Sequence, residues 1–297
     1  MNSHFHFDEI PNGDPHSSRF HVIPAPLEKS VSYLGGTAGG PQALIEASGQ
    51  LELITNGRNP ASLGIHTRAM IDPSQPVHTF LEQLKSECDD VLTCGALPVV
   101  IGGEHTVSFA PISACAEFYG GSVGVIQIDA HADLRRAYQG NRYSHASVMQ
   151  RVVEELHLPL FQIGVRAMGM EEYDFRKTYQ DRIGYLDAPD LHRQLRRTGS
   201  VDIISSIERQ FRGTFPNRIY ITFDVDGFDA SFFPATGTPV PGGLFWPETQ
   251  ELLSQLSAQF SIIGCDVVEL APSASLHYCS FTAAQLVYDL MGYMSGN

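Results

Sequence analysis

Two short runs of this sequence place carboxylates and imidazoles at alternate positions: Asp129-Ala130-His131-Ala132-Asp133 and Asp224-Val225-Asp226. A third run, Gly102-Gly103-Glu104-His105, adds a second histidine, and Glu269 adds a further carboxylate. Residues two apart on extended chain point to the same side. Asp129, His131 and Asp133 are therefore expected to converge, and so are Asp224 and Asp226. Carboxylates held that close repel one another unless a cation lies between them. Two divalent ions would neutralise four aspartates, and an oxygen-rich donor set with two imidazoles and no thiolate suits Mn²⁺ best. A thiolate zinc site is excluded, because the five cysteines form no cluster. A lone Asp-x-Asp is commonly a solvated turn, and a lone histidine after Gly-Gly is commonly a packing or capping residue. Packing alone does not explain three such features, each following an apolar run.

Those apolar runs are the elements that must position the site. Strands are expected at 20–23, 98–101, 122–128, 160–163, 218–223 and 262–267. Val-Gly-Val-Ile-Gln-Ile and Ile-Tyr-Ile-Thr-Phe are continuous stretches of the kind buried on both faces. Helical patterns lie between them: 42–48 behind Pro41, 77–94 ended by Gly95, one from Ser144 through Leu156, one from Pro247, and 282–291. Such alternation predicts an α/β domain with a mainly parallel sheet. In such sheets ligands bind outside the carboxyl ends of the strands, which is where the acidic runs fall. No linker divides the chain, so 20–297 reads as a single domain, preceded by a loosely ordered arm at 1–19.

Composition narrows the partners. The 297 residues carry 19 Lys+Arg against 33 Asp+Glu, a net charge of −14, which excludes a general nucleic-acid binder and disfavours an anionic membrane surface. With 43% hydrophobic and 18% charged residues there is apolar material for a large core and too little charge for disorder. No run is long enough to span a bilayer. The N-terminus has neither a basic n-region nor an apolar h-region, and the cysteines read as reduced thiols, so the expectation is a cytoplasmic protein.

Five motifs in order, GGEHT (102–106), IDAHADLR (128–135), FDVDGFD (223–229), ATGTPVPGG (235–243) and DVVELAP (266–272), strongly resemble the ureohydrolases: arginases, agmatinases and their relatives. The stretch at 26–48 resembles the start of bacterial and archaeal agmatinases. The resemblance spans about residues 20 to 294. It implies a three-layer α/β/α fold around a parallel eight-stranded sheet, assembled as a homotrimer or homohexamer, with two Mn²⁺ ions per subunit. By the same resemblance His105, Asp129, Asp133 and Asp224 ligate one ion, and Asp129, His131, Asp224 and Asp226 the other. His145 falls on the family's active-site histidine and Glu269 on the carboxylate that binds guanidinium. Without the resemblance, His145 reads as a helix N-terminal residue.

Asp133 is then suited to hydrogen-bond the attacking water and shuttle its proton, His145 to protonate the departing amine, and Glu269 to orient the guanidinium. Arginases carry an asparagine two residues past the last aspartate of D-A-H-x-D, and a loop reading like S-G-N-L-H-G. Here Arg135 and G-N-R-Y-S-H-A (140–146) stand in those places, which resembles agmatinase. The expected substrate is a small cationic guanidino compound, first of all agmatine, cleaved to putrescine and urea. Guanidinobutyrate, aminopropylagmatine, arginine and formiminoglutamate remain alternatives within the family. A non-catalytic metal-binding homologue and a dinuclear phosphoesterase remain outside it, the latter without a phosphate-binding loop.

Overall fold

The computed structural model describes residues 4–296. Eight strands form one sheet in the order β2-β1-β3-β8-β7-β4-β5-β6. They are β1 (Phe20–Ala25), β2 (Ile65–Thr67), β3 (Leu97–Gly102), β4 (Gly124–Ile128), β5 (Leu160–Ile163), β6 (Ile183–Leu186), β7 (Arg218–Asp224) and β8 (Ser261–Val268). Every neighbouring pair is parallel.

The apolar runs are continuous because both faces of the sheet are covered. Val99 and Ile101 of β3 point into one core and Val100 into the other, and in β4 Ile126 and Ile128 oppose Val125 in the same way. One layer holds α1 (Gly40–Ser48), α6 (Ala188–Thr198), α7 (Ile203–Phe211), α8 (Trp246–Gln259) and α9 (His277–Met294). The opposite layer holds α2 (Val77–Thr93), α3 (Phe109–Phe118), α4 (Val148–Glu154) and α5 (Met170–Thr178). The result is the three-layer α/β/α arrangement expected from the sequence.

Strand order places the site. The chain lays β1 to β3 on one side and β4 to β6 on the other, then inserts β7 and β8 between β3 and β4. The carboxyl ends of β3, β8, β7 and β4 are therefore neighbours, and all the acidic runs leave the sheet at this switch point.

Three expectations need correction. First, β2 and β6 were not foreseen. Each is an edge strand, and β2 has three residues; β6 carries an exposed Tyr185 and a glycine. That glycine, Gly184, has no room for a side chain, since a Cβ would sit 2.6 Å from the Phe211 ring and 2.8 Å from that of Phe161. Second, α3, α5, α6 and α7 were missed: α6, for example, buries only Ala188 and Leu191 in a strongly polar stretch, and α3 carries Pro111 in its first turn. The helix expected to run from Ser144 through Leu156 starts at Val148 and stops at Glu154, behind a 3₁₀ turn over His145–Ser147. Third, residues 4–18 are not loose. Phe5 is 1% exposed and its N–H donates to Thr67 Oγ1, while the N–H of buried His6 donates to Ser48 Oγ. The arm fastens α1 to β2.

Candidate metal centre

His105 follows β3 through Gly102-Gly103-Glu104. A Cβ on Gly103 would lie 2.1 Å from the Leu27 carbonyl oxygen, so only glycine lets this turn pass under the β1 end. The turn delivers a fully buried imidazole whose Nδ1 lies 3.0 Å from Asp133 Oδ2, 3.2 Å from Asp129 Oδ2 and 3.5 Å from Asp224 Oδ2. Its Nε2 is 2.8 Å from Thr222 Oγ1, and that hydroxyl donates to Asp266 Oδ1 at 2.7 Å. With its one proton committed to a carboxylate, Thr222 can only accept from Nε2–H. In the neutral ring Nδ1 is then a buried lone pair aimed at three carboxylates. Burial opposes charge on the ring, but Asp129 and Asp133 outweigh it and raise the pKa well above its ordinary value.

A second group lies beside the first. His131 Nδ1 is 2.9 Å from Asp226 Oδ2 and 3.7 Å from Asp129 Oδ1. Asp129 belongs to both groups: His105, Asp129 and Asp133 form one, and Asp129, His131 and Asp226 the other. Asp224 borders the first group through its Oδ2, while its Oδ1 accepts the Asp226 N–H at 2.8 Å. All six positions singled out in the sequence are thus brought together. The reason differs from the one expected, however. The 129–133 run does not remain extended, because Asp133 has φ +53°. His131 and Asp133 consequently turn to different groups, and Asp129 is what they share.

Electrostatics show a site that wants positive charge. Burial and the neighbouring carboxylates Asp226 and Asp129 push the Asp224 pKa well above its ordinary value. Burial and Asp129 push Asp133 up to about 7. Burial works against charge on His131, yet Asp226 and Asp129 raise it to about 11. Protons or metal cations can satisfy such a cluster. His105 Nδ1, facing Asp133, Asp129 and Asp224, can take either, and a donor set of carboxylates with two imidazoles and no thiolate fits a pair of divalent ions.

Glu269 sits at the end of β8 with φ +65°, a conformation rare for a residue with a side chain. Its N–H donates to the Gly103 carbonyl at 2.8 Å, and its Oε1 accepts the His105 N–H at 2.7 Å. The positive φ turns the carboxylate into a cavity of about 350 Å³, whose floor includes His131, Asp133, Asp224 and Asp226. Burial, with Glu104 and Asp226 nearby, pushes the Glu269 carboxyl up to about 8. His145 lines the same cavity above the cluster. Near the mouth, Arg135 lies 3.6 Å from Glu172 and 5.3 Å from the centre of the Tyr138 ring. Its charge thus has an acidic group within ion-pair distance.

Several supporting residues were not read from the sequence. Gln127 Nε2 donates to Asp129 Oδ2 at 2.7 Å, and Arg166 Nη2 donates to the carbonyls of Asp226, Phe228 and Val240. Asp229 accepts N–H bonds from Gly242 and Gly243, closing the 235–243 loop that carries Thr238 to Asp226. The signal for Gln127, Thr222 and Asp266 was present: each is a polar residue inside an otherwise apolar strand. Burial opposes charge on Asp229, but hydrogen bonds from Ser231, Gly242 and Gly243 lower its pKa from 3.8 to about 2. A depressed carboxyl stabilises the fold fully above its unfolded value and loses that contribution as pH falls through the folded one. Asp229→Asn should therefore melt earlier than the parent at neutral pH. The gap between the two melting curves should narrow below about pH 4; a gap that persists unchanged would show that the carboxylate charge is not what holds the loop.

The Arginase family model matches residues 18–292. An N(1)-aminopropylagmatine ureohydrolase of Synechocystis sp. is 35% identical over 280 residues, covering 92% of this chain and 88% of that protein. An agmatinase of Pyrococcus horikoshii is 28% identical, with 96% and 95% coverage. The crystal structure of an agmatine ureohydrolase of Thermoplasma volcanium superposes with TM-score 0.82 at 26% identity, covering 99% of this chain and 94% of that one. Shared fold, near-complete coverage and a converging acidic cluster agree, and the chain belongs to the arginase family as a metal-dependent ureohydrolase.

Proposed function

We propose that this enzyme hydrolyses agmatine to putrescine and urea, using two Mn²⁺ ions held by His105, Asp129, His131, Asp133, Asp224 and Asp226. Two bound divalent ions supply the Lewis acidity that makes water a competent nucleophile near neutral pH. Glu269 binds the guanidinium through paired N–H contacts and aims its carbon at the cluster. Asp133 accepts the proton that the attacking water gives up. His145 delivers a proton to the nitrogen that leaves as the amine. An assembly of three or six subunits and a cytoplasmic setting belong to the same proposal; among the described residues no helix is long and apolar enough to cross a membrane.

The observation that carries the substrate reading is the Arg135–Glu172 pair in the cavity wall. A substrate carboxylate would have to compete with Glu172 for the guanidinium, and burying it without donors is costly. An aliphatic tail ending in an ammonium does not compete with Glu172, whose carboxylate beside Arg135 offsets the like charge in the wall. A second reading, aminopropylagmatine, is favoured by the Synechocystis relative and by a cavity with room for a longer chain. Assays of urea release should give kcat/KM for agmatine or its aminopropyl derivative at least about 100-fold above arginine and 4-guanidinobutyrate. Preference for either carboxylate-bearing compound would sink the reading of the wall and leave the family chemistry intact.

A further inference from the structure

Glu104 has no part in the steps above, yet its carboxylate is fully buried beside the site. Its Oε2 accepts the N–H groups of Lys29 at 2.6 Å and Ser30 at 2.7 Å, and its Oε1 accepts the Ser30 hydroxyl at 3.0 Å. Ser30 Oγ in turn accepts the His145 backbone N–H at 3.1 Å and lies 3.1 Å from His145 Nδ1. On the other edge of the ring, Ser32 Oγ lies 2.7 Å from Nε2.

A hydroxyl carries one proton. Ser30 gives its proton to Glu104, so it can meet Nδ1 only as an acceptor, and Nδ1 must bear hydrogen. Ser144 Oγ is 3.4 Å from the same nitrogen and has a proton to offer. Were Nδ1 bare, however, its lone pair would still face that of the closer Ser30. Resting on the reading of His145 as proton donor, we propose that Glu104 and Ser30 are positioning residues that hold His145 as the Nδ1–H tautomer, reserving Nε2 for the proton that is taken up and delivered. Nε2 is the nitrogen beside Ser32, and both His145 and Ser32 line the cavity. The arrangement parallels Asp266, Thr222 and His105, where a carboxylate also fixes an imidazole through a hydroxyl.

A plain anchoring role makes a different prediction. Glu104 fastens a loop whose Val31 and Leu34 line the cavity mouth, so loss of anchoring alone would raise KM. Loss of the tautomer lowers kcat instead. In the metal-loaded enzyme, Ser30→Ala should lower kcat at least about tenfold with KM and metal content unchanged, and Ser30→Thr should restore most of the rate. Imidazole ¹⁵N spectra of Zn²⁺-loaded protein, with the His145 signal identified by its absence in His145→Asn, should show protonated Nδ1 in the parent. Glu104→Gln reverses the chain, because an amide N–H can donate to Ser30, whose proton then turns to Nδ1; the signal should shift to protonated Nε2. This second variant carries the test if Ser30→Ala does not fold. An Nδ1–H signature unchanged in Ser30→Ala and Glu104→Gln, or a raised KM at unchanged kcat, overturns the proposal. If His145→Asn turns over like the parent, the reading of His145 fails, while the spectra still decide the tautomer.

Discussion

Asp129→Ala should lower kcat/KM more than about 1000-fold and strip the protein of metal, since even outer-shell changes around a metal cost 10- to 100-fold. Asp129 is the residue common to both groups, so its loss affects both at once. His105→Ala, which removes a member of one group, should cost less and leave one equivalent of metal. Stability provides a second measure. Ligand that binds only the folded protein raises its melting temperature, and without cations the clustered carboxylates repel. Exhaustive chelation should therefore lower the melting temperature of the parent and abolish its activity, with Mn²⁺ restoring both. Asp129→Asn, which keeps an acceptor for the His131 N–H while removing a charge, should melt at nearly the same temperature with and without chelator. Full metal content in Asp129→Ala would show that the bridge has been misassigned.

Glu269→Gln should produce the opposite dissociation: full metal content with kcat/KM lowered about 10- to 100-fold, the worth of a charge-assisted paired contact. Glutamine keeps an oxygen to accept the His105 N–H, so the turn that carries His105 should stand. What it lacks is the negative charge opposite the guanidinium. Burial pushes the Glu269 carboxyl up to about 8, and a cation entering the cavity is what favours its ionised form. The rate lost in the variant should therefore be largest for guanidinium substrates, and metal titrations should superpose on those of the parent. Metal loss in step with activity would make Glu269 a support of the cluster and not a substrate contact.

The central strands and the six clustered residues were legible because each acidic run directly follows a buried apolar stretch. Spacing alone does not show how the runs divide; only the family resemblance implied a division. Alternation along 129–133 suggests one converging set, and only the positive φ of Asp133 sends it to His105 while His131 goes to Asp226. The positive φ of Glu269 is equally invisible, since nothing in the residue type asks for it. Glu104 escaped for another reason. Its partners Lys29 and Ser30 lie 75 and 74 positions away, so its role exists only once β1 and β3 are paired. The edge strands β2 and β6 escaped because three and four residues are too few for alternation to show.

The insertion of β7 and β8 between β3 and β4 also sets the order in which the site can come into being. A growing chain emerges with His105 first, then Asp129 to Asp133, then Asp224 and Asp226, but β8 (Ser261–Val268) is the strand that joins β3 to β7. Until it has left the ribosome, the two halves of the sheet have no shared neighbour, and His105 has no fixed distance to any aspartate. The group of Asp129, His131 and Asp226 needs only the β4–β7 pair, whereas the group that includes His105 waits for β8, so the two parts of the acidic cluster assemble in that order.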